Sequence, residues 1–181
     1  QIRERRRLAR HPARVRPELV ATAPGQVFSW DITKLAGPVK GKYFDAYVMI
    51  DIYSRYIVGS VVHAHESVPF AVGSMKEIFG IPGIPKVVHA DRGTSMTSKT
   101  VAALLSALEV TRSHSRPKVS NDNPYSEAWF KTLKYAPTFP ERFGALADAR
   151  GSLDHFVQWY NHQPALTALG LPPPAAGHSD L

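Results

Sequence analysis

Asn121-Asp122-Asn123-Pro124-Tyr125-Ser126-Glu127-Ala128-Trp129-Phe130-Lys131-Thr132-Leu133-Lys134 reads as the start of a helix that is charged on one side. Asn123 suits the N-cap, and Pro124 suits the first helical position, where its missing N–H would be unsatisfied anyway. Glu127, Lys131 and Lys134 then fall at i, i+4 and i+7, on one face. Trp129, Phe130 and Leu133 lie off that stripe and can pack inward. Taken alone, such a stripe more often means a solvated face with a Glu–Lys pair. Two aspartates upstream change the balance.

Working back from that helix, Thr111 to Asn123 is rich in Ser, Arg, Lys and Pro, without periodic apolar residues, and is expected to be a mobile loop. A short strand over Val110 to Ser113 competes for its first residues. Ser98 can cap a helix whose Val101, Leu104, Leu105 and Leu108 form an apolar stripe. Lys86 to Ala90 is a short buried strand ending at Asp91. Ser67 caps an earlier helix carrying Ala71, Met75 and Ile78, which the run Gly80 to Pro85 stops.

Three β-rich runs precede these. Gln26 to Thr33 alternates, with Val27, Ser29 and Asp31 on one face and Phe28, Trp30 and Ile32 on the other. Tyr43 to Asp51 and Tyr56 to His63 follow, so an antiparallel meander opens a mixed sheet. Beyond the Glu127 helix, Ala136 to Arg142 is a proline-broken link. Leu153, Phe156, Val157 and Tyr160 mark a last amphipathic helix ending near Pro164. The pattern is that of one α/β domain.

Composition bounds the rest. The 181 residues are 44% apolar and 20% charged, as in ordinary globular proteins, and long enough for one sizeable core. No run of about 18 apolar residues would span a membrane, and no signal-peptide pattern is seen. Cysteine is absent, so any metal must be held by carboxylate, histidine or water. A reducing, cytoplasmic setting fits. Residues 1–20 hold seven arginines against Glu4 and Glu18, which accounts for +5 of the net +7. Such a charge favours a polyanionic partner. The expected organisation is a basic arm at 1–20, a core at 21–170 and a Pro/Ala-rich tail at 171–181. Gln1 is not an initiator methionine, so a piece of a longer protein is expected.

Asp31 sits in a strand between Trp30 and Ile32, where a free carboxylate is unwelcome. Asp91 follows a strand and precedes the turn Arg92-Gly93. In open sheets functional groups collect at the carboxyl ends of adjacent strands, where these two could meet. Brought together with Glu127 they would repel, and their pKa values would rise, unless cations lay between them. Hard divalent ions with oxygen ligands answer that chemistry, and two of them about 3.5–4 Å apart can serve an in-line phosphoryl displacement. Singly, each aspartate is more often a cap or turn residue. His89 and His114 read more simply as packed or hydrogen-bonded, Asp51 as a structural partner for Arg55, and Asp122 as a turn residue.

Trp30-Asp31-Ile32-Thr33, His89-Ala90-Asp91-Arg92-Gly93 and Asn123-Pro124-Tyr125-Ser126-Glu127 together resemble the Asp-Asp-Glu motif of retroviral-integrase-like transposases, with thirty-five residues between Asp91 and Glu127. The likeness runs from about Arg16 to Gly170. Asp51-Ile52-Tyr53-Ser54-Arg55-Tyr56, Ser115-Arg116-Pro117, Phe130-Lys131-Thr132-Leu133-Lys134 and Trp159-Tyr160-Asn161-His162 are similar to the bacterial insertion-sequence branch.

The resemblance implies a ribonuclease H-like fold, a mixed five-stranded sheet flanked by helices. It implies that Asp31, Asp91 and Glu127 are catalytic and hold two Mg²⁺ or Mn²⁺ ions. The activity implied is cutting of element ends and joining of the freed 3′-hydroxyl to target DNA. A homodimer or higher multimer on double-stranded DNA, in the nucleoid of the bacterial cytoplasm, is the expected assembly. Lys131 and Lys134 match positions that contact DNA; Arg92, Arg116 and Lys118 are taken with them as candidate DNA contacts. The rivals are a nuclease that cuts without joining and a decayed core that only binds DNA. One departure stands out: Gln163-Pro164-Ala165-Leu166-Thr167-Ala168 is apolar where the family has a basic segment. The N-terminal helical DNA-binding region of a full transposase is also missing.

Overall fold

β1 (Val27–Ala36) is the strand to which every other layer refers. A computed structural model describes residues 19–115 and 123–162. Residues 1–18 of the basic arm, Arg116, Lys118, Asp122 and the segment from Gln163 onward lie outside those residues.

β1 pairs antiparallel with β2 (Tyr43–Asp51), which pairs antiparallel with β3 (Ile57–His63). On its other side β1 pairs parallel with β4 (Val87–Ala90), and β4 parallel with β5 (Thr111–His114). The order across the sheet is β3-β2-β1-β4-β5. The helices are α1 (Val68–Phe79), α2 (Lys99–Ala107), α3 (Pro124–Tyr135) and α4 (Leu146–Asn161). No described helix is long and apolar enough to cross a membrane.

Alternation along the strands sorts the core into two layers. Phe28, Trp30, Tyr47 and Met49 face α1 and α2, packing with Ala71, Met75, Val101 and Leu105. Leu35, Ala46, Val48 and Ile50 face α3 and α4, meeting Trp129, Leu133, Leu153 and Phe156. Burial on both faces explains why β2 is an almost unbroken apolar run. The expected inward packing of Trp129, Phe130 and Leu133 is found.

Local signals account for the first two helices. Ser67 Oγ accepts from the Phe70 N–H at 3.2 Å, and Ser98 Oγ from that of Val101 at 3.2 Å. Gly59 on β3 is there for space: a Cβ would stand 2.3 Å from Ile78 Cγ1 of α1. Several strand boundaries differ from expectation. β1 runs on to Ala36, and β3 begins at Ile57. β5 extends through His114, into the stretch read as loop, because β4 supplies a parallel ladder from Thr111 to His114.

The outer edge of β3 is closed by α4. Asn161 Oδ1 accepts from the Ile57 N–H at 2.9 Å, and its Nδ2 donates to the Ile57 carbonyl at 3.1 Å. Arg150 Nε donates to the Val62 carbonyl at 2.9 Å. The Asn161 amide thus stands in for a neighbouring strand. Asn161→Ala leaves two buried backbone groups unpaired and is expected to lower unfolding stability by about 2–3 kcal/mol. Urea unfolding checks this; a loss under about 0.5 kcal/mol, the size of an ordinary surface change, would mean water replaces the amide.

Candidate active site

Parallel register brings the two aspartates side by side. Trp30 of β1 aligns with Ala90, the last residue of β4, so Asp31 and Asp91 follow at neighbouring positions. Both line a small pocket of about 110 Å³, together with Trp30, Ile32, Glu66, Gly93 and Met96. Glu127, in the first turn of α3, is partly exposed. It does not line that pocket, but its charge acts on Asp31.

Asp31 is the perturbed group. Burial pushes its carboxyl from the ordinary 3.8 up to about 7, opposed by the Ile32 N–H that Oδ1 accepts at 2.8 Å. The charges of Asp91 and then Glu127 raise it further, while Lys134 lowers it. Such a shift in a cleft marks a candidate functional carboxylate. Like charges arranged this way are the setting a divalent cation relieves, and oxygen donors suit a hard ion. Among the described residues no three acidic or histidine side chains stand ready to grip one ion. Asp31 and Asp91 are brought together; Glu127 is near but does not close on them.

Asp91 is oriented from below. Its Oδ1 accepts a short hydrogen bond from Ser115 Oγ. That hydroxyl has one proton, so the 3.4 Å contact to His89 Nε2 makes the histidine the donor. His89 Nδ1 then accepts from Ser113 Oγ at 3.0 Å. His89 is fully buried and holds the loop under Asp91, in keeping with its simpler reading. His114 is likewise engaged, its Nδ1 donating to the Ala90 carbonyl at 3.3 Å, and burial holds its pKa below the usual histidine value. Asp51 closes the β2–β3 turn, accepting from Ser54 N–H and Ser54 Oγ.

The basic candidates sort themselves. Lys131 is exposed on α3. Lys134 is exposed too, but its Nζ donates to Thr33 Oγ1 at 2.7 Å. Arg92 is exposed, with Nε donating to the Ser115 carbonyl at 3.0 Å. Arg55 stacks on the Tyr125 ring at 4.0 Å, joining the β2–β3 turn to the start of α3.

Sequence reasoning missed Glu66. Its Oε1 accepts from Ser95 Oγ at 2.6 Å, which holds it at the pocket wall. Nothing in its local sequence marks it, because the contact joins segments 29 residues apart. Asn123 is the N-cap residue of α3, as expected, but makes no capping hydrogen bond. Its side chain turns to β1 instead: Oδ1 accepts from Ser29 Oγ at 2.5 Å.

A family model described as Integrase core domain matches residues 21–120, and a second of the same description matches residues 108–174. The chain is 29% identical over 154 residues to the transposase for insertion sequence element IS904 of Lactococcus lactis, covering 80% of this chain and 59% of that protein. Two further insertion-sequence transposases are each covered to 54%, so the chain spans little more than half the length of such relatives. It superposes on the simian T-cell lymphotropic virus intasome, solved with the PP2A regulatory subunit B56 gamma, with TM-score 0.73 at 18% identity, covering 94% of this chain and 60% of that one. The HTLV-2 integrase catalytic core domain in complex with magnesium gives TM-score 0.65 at 15% identity, covering 88% and 99%. These structures establish the ribonuclease H-like fold. Matched by the first family model over more than half its length, the chain belongs to the integrase core domain family.

Proposed function

We propose that this chain is the catalytic core of an insertion-sequence transposase, which cuts DNA at element ends and joins the freed 3′-hydroxyl to target DNA. The observation that carries it is Asp31, midway along β1, beside Asp91 just past the end of the parallel strand β4, its carboxyl pushed up to about 7 by burial and the nearby carboxylates. The transposase relatives support the same reading.

Asp31 and Asp91 would hold divalent cations, Mg²⁺ or Mn²⁺, with Glu127 completing the set. Two such ions, when bound, supply activation of the attacking oxygen and stabilisation of the leaving one. Ser115 fixes the Asp91 carboxylate, so one oxygen is oriented before any ligand arrives. Lys131 and Lys134 would hold phosphates next to Glu127. An ammonium has three donors, so Lys134 keeps two after serving Thr33. Arg92, exposed between Asp91 and Gly93, would join them.

The test is a strand-transfer assay on labelled duplex carrying element ends, with Mg²⁺ or Mn²⁺, using the complete protein. Cutting with joining supports the transposase. Cutting alone would make it a nuclease, and binding alone a decayed core.

The lysine face has its own check. Lys131→Ala should make the salt dependence of DNA affinity shallower by about one unit of log–log slope, without changing stability. Lys134→Ala should lower the slope similarly and also loosen α3, since Thr33 loses its partner. Slopes equal to wild type in both would reduce the face to solvated surface.

A further inference from the structure

Ser29, Asp31 and Thr33 alternate along β1 and so point to the same face of the sheet. α3 lies along that face. At one end Ser29 Oγ lies 2.5 Å from Asn123 Oδ1 and 2.8 Å from Ser126 Oγ, and Asn123 Nδ2 reaches the Trp30 carbonyl at 3.5 Å. At the other end stands the Lys134–Thr33 hydrogen bond. Four steps along the strand span about 13 Å and eleven along the helix about 16 Å, so the two anchored spans are similar in length. Asp31 sits midway between the anchors. Glu127 follows Ser126 directly.

The first anchor is dry. Ser29 and Asn123 are 0% exposed and Ser126 is 1% exposed. Its protons can be assigned: Ser29 donates to Asn123 Oδ1, so Ser126 must donate to Ser29. Buried polar groups that satisfy one another specify one arrangement, because a slip leaves one unpaired. Asn123 also forgoes the capping bond its position favours, and Pro124 needs none. A local preference given up for a contact 94 residues away points to a role beyond starting a helix.

We propose that the buried Ser29–Asn123–Ser126 cluster is a positioning device that pins α3 on β1 and so sets Glu127 against Asp31 and Asp91. It rests on the reading of these three carboxylates as the catalytic set. None of the cluster residues touches the reacting atoms. They act through Glu127.

The test uses the complete protein with Ser29→Ala, Ser126→Ala and Asn123→Ser, the last preserving a good N-cap. Hydrogen exchange of the α3 amides, followed without metal, should quicken about tenfold in each variant, the factor expected for one lost buried hydrogen bond. Amides of β2 and β3 should keep wild-type rates. The Mn²⁺ concentration giving half-maximal DNA cutting should rise about tenfold, the same equilibrium factor, while cutting at saturating Mn²⁺ recovers in part. Unchanged α3 exchange overturns the proposal. So does faster exchange with a wild-type Mn²⁺ requirement, which would make the cluster mere packing. Wild-type cutting by Glu127→Gln would instead sink the assignment of the catalytic set, leaving exchange to judge the anchor.

Discussion

On the proposed assignment, Asp31→Asn, Asp91→Asn and Glu127→Gln are each expected to reduce metal-dependent cutting and joining of DNA by on the order of a thousand-fold or more, since each would remove a group that acts with the others as a unit. The replacements are nearly isosteric, so the fold should survive. Through its oxygen, the new amide at position 31 can still accept the Ile32 N–H, and that at position 91 the Ser115 hydroxyl. The losses should be strongly non-additive: a double variant should be little worse than either single one. Glu127→Gln carries an independent sign, because removing its charge should move the Asp31 pKa downward, as a carboxyl-carbon NMR titration would register. Near-normal strand transfer by any one variant would remove that residue from the catalytic set.

The second large effect concerns pH. Asp31 titrates at about 7 in the folded chain, against an ordinary 3.8. Between those values the folded state holds a proton that the unfolded state has released, so stability falls as pH rises. The favourable contribution is complete below about pH 4, shrinks through the interval and is gone above 7. About three pH units at 1.36 kcal/mol each set a ceiling of about 4 kcal/mol; partial solvent exposure of Asp31 brings the expected loss to about 2–4 kcal/mol. Asp31→Asn has nothing to titrate. In chelator, its stability relative to wild type should therefore improve by that amount between pH 4.5 and pH 8. Added Mn²⁺ at pH 8 should raise the melting temperature of wild type, through binding to the folded state only, and raise that of the variant much less. A variant-minus-wild-type difference that stays level across this range would show that Asp31 titrates as an ordinary surface carboxylate.

Much of this was legible in sequence wherever local chemistry decides. The alternation from Val27 onward placed Asp31 on a strand, and the β2 run matches its observed bounds. Ser67 and Ser98 cap the helices their stripes suggested. The two aspartates are neighbours as expected, but not at two strand ends: β4 stops at Ala90 while β1 runs on past Asp31 to Ala36. Long-range contacts defeated the reading elsewhere. Asn123 has every local reason to cap α3, and only Ser29, far away in sequence, draws it off. Glu66 looks like a polar residue ahead of a helix until Ser95 holds it at the pocket. Thr111 to Ser113 is open in sequence to both loop and short strand, and the ladder to β4 decides for the strand and carries it on to His114.

The closure of β3 by α4 reaches beyond stability. A sheet edge is ordinarily a place where a foreign strand can add, whether a peptide ligand or another copy of the chain. Asn161 and Arg150 already occupy Ile57 and Val62, near the two ends of that edge. An incoming strand would have to evict both before finding register. On that side two copies of the chain would therefore have to meet through helix surfaces, not by adding strand to strand.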